Sequence, residues 1–201
     1  PRCHHGRSIA RYGHAHCGAP QLTSGTPGGT HPSPGVGVST FLIHLYAAQA
    51  ERLRTVHAHL GPDLTEDLIA TGTLRIVRSH LGPLITLGVR GLLAVNASPR
   101  PIAMSTATQY VALREAVALA LERGYTVEAV EGIYVRLGDR MGRTHLLYVR
   151  PIAPSAAALR ALFRHHRSSL GTQGTIIIYT ATPEQLARVL QYRPNLQVWP
   201  A

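Results

Sequence analysis

The sequence predicts an α+β fold in which a helical segment at 41–123 precedes a small α/β segment at 124–201. Three observations predict it. Apolar residues recur at helical spacing through much of 41–121, β-branched and aromatic runs take over after Gly124, and residues 1–40 hold no acidic residue and few large apolar ones. The stretch "TSGTPGGTHPSPGVGV" offers too little apolar surface to offset the entropy of ordering it, so 1–40 reads as a disordered tail rich in Gly, Pro and His.

The elements then follow in order. Leu42, Leu45, Tyr46, Leu53 and Val56 predict one helix from Phe41 to Leu60, stopped by Gly61-Pro62. "DLTEDLIATG" gives a short helix, with Thr65 as N-cap and Gly72 as stop. In "TGTLRIVRSHLGPLITLGVRGLL", Leu74, Val77, Leu81 and Leu84 share one face of a helical wheel, and Arg75, Ser79 and Gly82 another. A helix over 73–87 is therefore expected, kinked at Pro83 and ended by Gly88. "GLLAVNASPRPIAMS" reads as two apolar runs flanking a turn, a hairpin with Arg100 at its tip. "TQYVALREAVALALERG" is a helix with Tyr110, Leu113, Val117 and Leu121 on one face.

Beyond Gly124, "YTVEAVEGIYVRL" and "HLLYVR" read as strand segments separated by the turn "GDRMGR". "PSAAALRALFRHHR" is a helix with Leu159, Leu162 and Phe163 inward. "GTIIIYT" is an unbroken apolar run, as in a strand buried on both faces. "TPEQLARVLQ" starts a helix with Thr182 as N-cap, Pro183 at N1 and Gln185 closing a capping box, and "LQVWP" is a last strand.

Charge narrows the function. The chain carries 20 basic residues against 10 acidic ones, a net +10, and every basic residue is arginine. Such an excess favours a polyanionic partner, with nucleic acid the usual one. The absence of lysine excludes a Walker A loop and a Schiff-base enzyme. Between Asp67 and Glu115 there is no acid, while Arg75, Arg78, Arg90, Arg100 and Arg114 all fall inside. A second acid-free run from Arg140 to Pro183 contains Arg160, Arg164 and Arg167 at helical spacing, either a solvated outer face or a second basic surface.

The order helix, helix, helix, hairpin, helix over 41–123, with "SHLGPLITLGV" followed by "LLAVNASPRPIAMS" and "TATQYVAL", resembles the recognition helix and wing of bacterial winged helix-turn-helix DNA-binding regulators. That resemblance implies sequence-specific binding of double-stranded DNA. Arg75 and Ser79 would face the major groove, Arg75 reaching a guanine edge, and Thr73 and Arg78 would contact phosphate. Arg100 would reach a minor groove or the backbone from the hairpin tip, with Arg90 and Arg114 inside the same cationic span. The helices at 41–60 and 107–123 are candidates for a homodimer surface.

The helix–strands–helix–strand order of 107–199, with "GDRMGRTHLLYVRP" and "TIIIYTATPEQLARVL", is similar to restriction-endonuclease-like domains. A winged helix joined to such a domain resembles the plasmid replication-relaxation family. This implies a role in plasmid replication or mobilisation, or in transcription regulation. An active nuclease of this fold holds Mg²⁺ with an acid and a Glu-x-Lys pair on adjacent strands. "HLLYVR" stands at the pair's position without carboxylate or lysine, and Asp139 is the nearby acid, so no catalytic residue is expected. A metal-dependent nuclease or relaxase, and a non-catalytic protein-interaction module, are the rival readings.

Cys3, His4, His5, His14, His16 and Cys17 cluster in the tail at spacings that match no standard zinc finger, so a His-rich tail without metal or other cofactor is the expectation. His57 with His59, and His165 with His166, lack a nearby carboxylate and nucleophile in sequence. No stretch suits a membrane span, and the chain opens on Pro1 without a signal-peptide pattern. It is expected to be cytoplasmic, and a fragment or processed product.

Overall fold

The fold comes from a computed structural model that describes residues 37–170, 174–191, 193 and 195–201. The tail and its Cys/His cluster lie outside the described residues. The described residues belong to one compact unit.

The single helix expected over 41–60 is two. Helix α1 (Val38–Ala48) ends at Gln49, whose φ of 65° leaves the helical region, and α2 (Leu53–Leu60) follows the two-residue strand β1 (Glu51–Arg52). Helix α3 (Pro62–Ala70) begins with Pro62 at its first position, where a missing amide costs nothing. Thr65 lies inside this helix and is not its N-cap: its hydroxyl donates to the Gly61 carbonyl at 2.6 Å.

Residues 73–87 form no helix. They form the hairpin β2 (Leu74–Ser79) and β3 (Gly82–Leu87), which joins β1 in an antiparallel sheet of order β1-β3-β2. The wheel that suggested a helix is a by-product of the hairpin. Val77 lies opposite Leu84 across the ladder, so the two share a face with no helix present. Gly82 turns the chain at φ +90°, a conformation open to glycine. The Ser79 hydroxyl donates to the Gly82 carbonyl at 2.7 Å and accepts from the Leu81 amide at 3.1 Å, closing the turn. Pro83, which would kink a helix, sits as the second residue of β3, and β-branched Ile76, Val77, Ile85 and Thr86 suit the strands.

The hairpin expected at 91–105 is absent. Helix α4 (Val89–Ala94) and an irregular segment carry the chain to α5 (Met104–Glu122). The buried face of α5 is Ala107, Thr108, Val111, Ala112, Ala116 and Ala120; of the large residues expected on one face, Leu113 and Val117 pack half-buried against the core, while Tyr110 and Leu121 are exposed. Small residues win this face because α5 packs between two sheets. Its alanines meet Val77, Leu81 and Leu84 of the first sheet and Val135, Leu137, Leu147, Val149 and Trp199 of the second in one core. The expected division at 123/124 falls at the end of α5, and this core continues across it.

The second sheet has the order β4-β5-β6-β7-β8: β4 (Thr126–Glu131), β5 (Tyr134–Gly138), β6 (Thr144–Val149), β7 (Ile176–Thr180) and β8 (Leu196–Pro200). The segment expected as one strand run at 125–137 folds back at Gly132, so β4, β5 and β6 form an antiparallel meander. Strands β6, β7 and β8 are parallel, with α6 (Ala156–Leu170) as the crossover from β6 to β7. Strand β7 is buried throughout, as its apolar run requires: Ile177 and Tyr179 face α5, and Ile176 and Ile178 face the α6 side with Leu159 and Leu162. Thr182 makes no side-chain cap. A short 3-10 turn at Pro183–Leu186, then α7 (Ala187–Leu190), replaces the expected capped helix, and the Thr182 hydroxyl accepts instead from the Ala153 amide at 2.9 Å.

Candidate functional site

The residues expected to meet DNA fall into two groups. Arg75, Ser79 and Arg114 are engaged inside the protein. Arg75 donates to the Ile102 carbonyl at 2.5 Å and to the Thr86 hydroxyl at 3.4 Å, tying the hairpin to the segment before α5, and is not presented to a groove. Ser79 builds the hairpin turn. Arg114 donates to the carbonyls of Ala48 and Ala50 and pairs with Glu51 at 2.9 Å. Thr73 is half-buried beside the Thr71 hydroxyl at 3.2 Å, and its carbonyl accepts the Gly88 amide.

The second group is Arg78, Arg90 and Arg100, all exposed. Arg78 lies on edge strand β2 close to the turn, Arg90 in the first turn of α4, and Arg100 in the segment leading to α5. Arg78 lines a cleft with His80 and Arg150, and Arg100 lines a different one beside Leu45, Tyr46 and Leu92. The helix before the hairpin has the opposite charge: α3 exposes Asp63, Glu66 and Asp67 and holds no basic residue. Arg160 and Arg164 are exposed on α6, and Arg164 lines a groove with Tyr134 and Tyr148, whose rings stack at 5.2 Å between centroids. The side chain of Arg167 lies outside the described residues.

Sequence reasoning missed the polar network that joins the sheets. The Arg52 guanidinium grips the Glu115 carboxylate through two bonds of 2.6 Å and also donates to the Leu81 carbonyl. The Tyr179 hydroxyl donates to the same carboxylate at 3.0 Å. Adjacent residues exchange partners: Glu51 and Arg52 of β1 meet Arg114 and Glu115 of α5. Burial pushes the Glu115 carboxyl up, but the Arg52 hydrogen bond and charge, with Tyr179, outweigh it and hold the group below its ordinary range. Burial, then the neighbouring carboxylate, pushes the Tyr179 phenol up, and the Arg52 bond to Glu115 raises the guanidinium. The sequence carried one signal of this: Glu115 is the acid that ends a long acid-free run.

Asp139 stands where the meander turns from β5 to β6. Its carboxylate accepts the amides of Met141 and Arg143, each at 2.9 Å, the Arg143 guanidinium at 2.6 Å, and lies 3.2 Å from His145 Nε2. The Arg143 amide leads in holding this carboxyl well below the usual carboxylate range. No family model, curated protein or solved structure matches the chain. Among the described residues, no group of three or more His, Cys, Asp and Glu side chains is placed to hold a metal ion. No helix among them is long and apolar enough to cross a membrane.

Proposed function

We propose that residues 38–122 form a winged helix that binds double-stranded DNA, with the hairpin 74–87 as the wing. The observation that carries this reading is the order of elements. A helix pair joined at Gly61 runs directly into a two-stranded ribbon, and the short strand β1 completes a sheet of order β1-β3-β2. A helix-turn-helix pair followed by a hairpin is the arrangement of winged-helix regulators. The reading helix shifts to α3, ahead of the span that the sequence nominated.

Charge then decides which element faces the duplex most closely. Phosphate walls repel Asp63, Glu66 and Asp67 on α3 and attract Arg78, Arg90 and Arg100. A two-stranded ribbon enters a major groove as well as a helix does. The duplex is therefore held mainly by the hairpin and the segments just after it, and α3 contributes little phosphate affinity. The α/β half supports this binder without nuclease chemistry. Asp139 is already engaged by Arg143 and two amides, and "HLLYVR" brings no carboxylate to β6. Plasmid replication or mobilisation, or control of transcription, is the setting that fits a sequence-specific binder of this form. A homodimer belongs to the same reading, with exposed Ile43 and Tyr46 of α1 and Tyr110 and Leu121 of α5 as its surface.

The test is the affinity for a labelled duplex across a range of KCl concentrations, using a site enriched from random duplexes. Replacing Arg78, Arg90 and Arg100 together with alanine should weaken binding and flatten the log–log salt slope by about 0.9 for each phosphate no longer neutralised. Glu66→Gln with Asp67→Asn should leave affinity unchanged or raise it. A triple variant with wild-type affinity and slope would overturn the assignment.

A further inference from the structure

We infer that the cleft between the hairpin turn and the β6–α6 connection is a binding site for a small amphipathic anion, a carboxylate head on an apolar body. The cleft is open to solvent and offers about 460 Å³, a size suited to a small ligand. Its two sides come from different sheets. Arg78 and His80 reach it from the hairpin, and Arg150, Pro151 and Ile152 from the end of β6, with the start of α5 between them.

The chemistry of the lining selects the ligand. Most neutral polar side chains here already have partners inside the protein. Ser79 closes the hairpin turn, Thr108 donates to the Met104 carbonyl at 2.7 Å, and the Gln109 amide donates to the Val149 carbonyl at 3.2 Å. The polar groups left over are Arg78, His80, Ser105 and Arg150, three of them cations or potential cations, and no acidic side chain lines the cleft. Elsewhere the arginines near these elements are engaged: Arg52 and Arg114 in ion pairs, Arg75 on a carbonyl. The guanidinium groups of Arg78 and Arg150 hold no hydrogen bond or ion pair among the described residues, although the Arg150 backbone amide donates to the Tyr179 carbonyl, and both residues are exposed. Two guanidiniums facing one cavity without a counter-charge favour a carboxylate, which each can engage through paired donors.

The rest of the wall is apolar. Met104 is 58 % exposed and Ile152 47 %, a large exposure for side chains with no polar atom. A phosphodiester backbone would leave this surface uncovered, whereas an alkyl or aryl body would bury it. The site therefore fits a small acid better than the duplex of the proposed function; it shares Arg78 with that surface, while Arg150, Met104 and Ile152 belong to the cleft alone.

Methyl NMR tests it on the whole chain. The protein has two methionines, Met104 at the cleft and Met141 in the turn after β5, so ¹³C-methyl labelling gives a reporter and an internal control. Octanoate and 3-phenylpropionate are titrated separately, with octylamine as the cationic counterpart and Met141→Leu for assignment. The expected result is a saturable shift of Met104 with at least one acid, an unmoved Met141, and no response to octylamine. Arg78→Gln with Arg150→Gln should weaken the acid about tenfold or more while the free protein's spectrum stays folded. Neither acid moving Met104, equal response to octylamine, or undiminished binding by the double variant would overturn the inference. So would a short DNA duplex that moves Met104 when the acids do not.

Discussion

Glu115→Gln tests how the two sheets are held together. The wild-type carboxylate accepts two bonds of 2.6 Å from Arg52 and one of 3.0 Å from Tyr179. Glutamine keeps one acceptor oxygen and turns an NH₂ toward donors, leaving the Arg52 guanidinium without its counter-charge. A fully buried pair broken this way costs about 3–5 kcal/mol. Here the side chains are 16 % and 27 % exposed, so water screens part of the charge and the expected loss is about 2–3 kcal/mol. For a chain of this size that lowers Tm by roughly 4–12 °C. The assay is thermal unfolding followed by far-UV circular dichroism, closed into a double-mutant cycle with Arg52→Met. The pH dependence gives a second readout. Because the folded carboxyl is held below its ordinary value, its contribution is present above the unfolded pKa and is lost as pH falls through the folded one. The gap between wild type and variant should therefore be full at neutral pH and close below about pH 4. A coupling energy under about 0.5 kcal/mol, or a gap that does not vary with pH, would refute the latch.

Other consequences are as direct. Asp139→Asn should destabilise the β5–β6 turn at neutral pH, and the deficit should shrink as acid protonates the wild-type carboxyl, since a depressed folded pKa contributes only above the unfolded one; melting curves from pH 7 down to acid check the sign. Gly91→Ala would place a Cβ 2.2 Å from the Thr73 carbonyl oxygen, backbone that cannot swing aside, so a loss at the upper end of about 1–3 kcal/mol is expected in chemical denaturation. Arg123 lies 4.3 Å from the ring centroid of Trp199, the one tryptophan in the chain. Arg123→Ala should shift Trp199 emission and cost about 0.5–1 kcal/mol, read from fluorescence-monitored unfolding.

Much of the fold is legible in the sequence where one structural period dominates. Ile176 to Thr180 could bury both faces only inside a sheet, and Leu159 and Leu162 set the inner side of α6. The failure at 73–87 has a specific cause. Apolar residues spaced by three and four fit a helix, yet the same spacing arises when Val77 and Leu84 pair across a tight turn. Gly82, Pro83 and the β-branched residues were the local signals for strands, and they outweigh the wheel because Pro83 removes a helical bond that the hairpin does not need. On α5 the large residues told only half the story: Leu113 and Val117 pack half-buried against the core, but its fully buried face is mostly alanine, which lets one helix approach two sheets. The candidate site was legible as charge and not as geometry. Arginine density marked the region, but partner choice, which engages Arg75 and Arg114 and leaves Arg78, Arg90 and Arg100 exposed, depends on carbonyls brought in from distant segments.

The most direct test of the proposal that the hairpin binds a duplex is hydrogen exchange by mass spectrometry, with and without an enriched DNA site at near-physiological salt. Added protection is expected in peptides covering 74–87 and 96–103, with little change over 62–70. Protection confined to 62–70, or none in either region at saturating DNA, would contradict it.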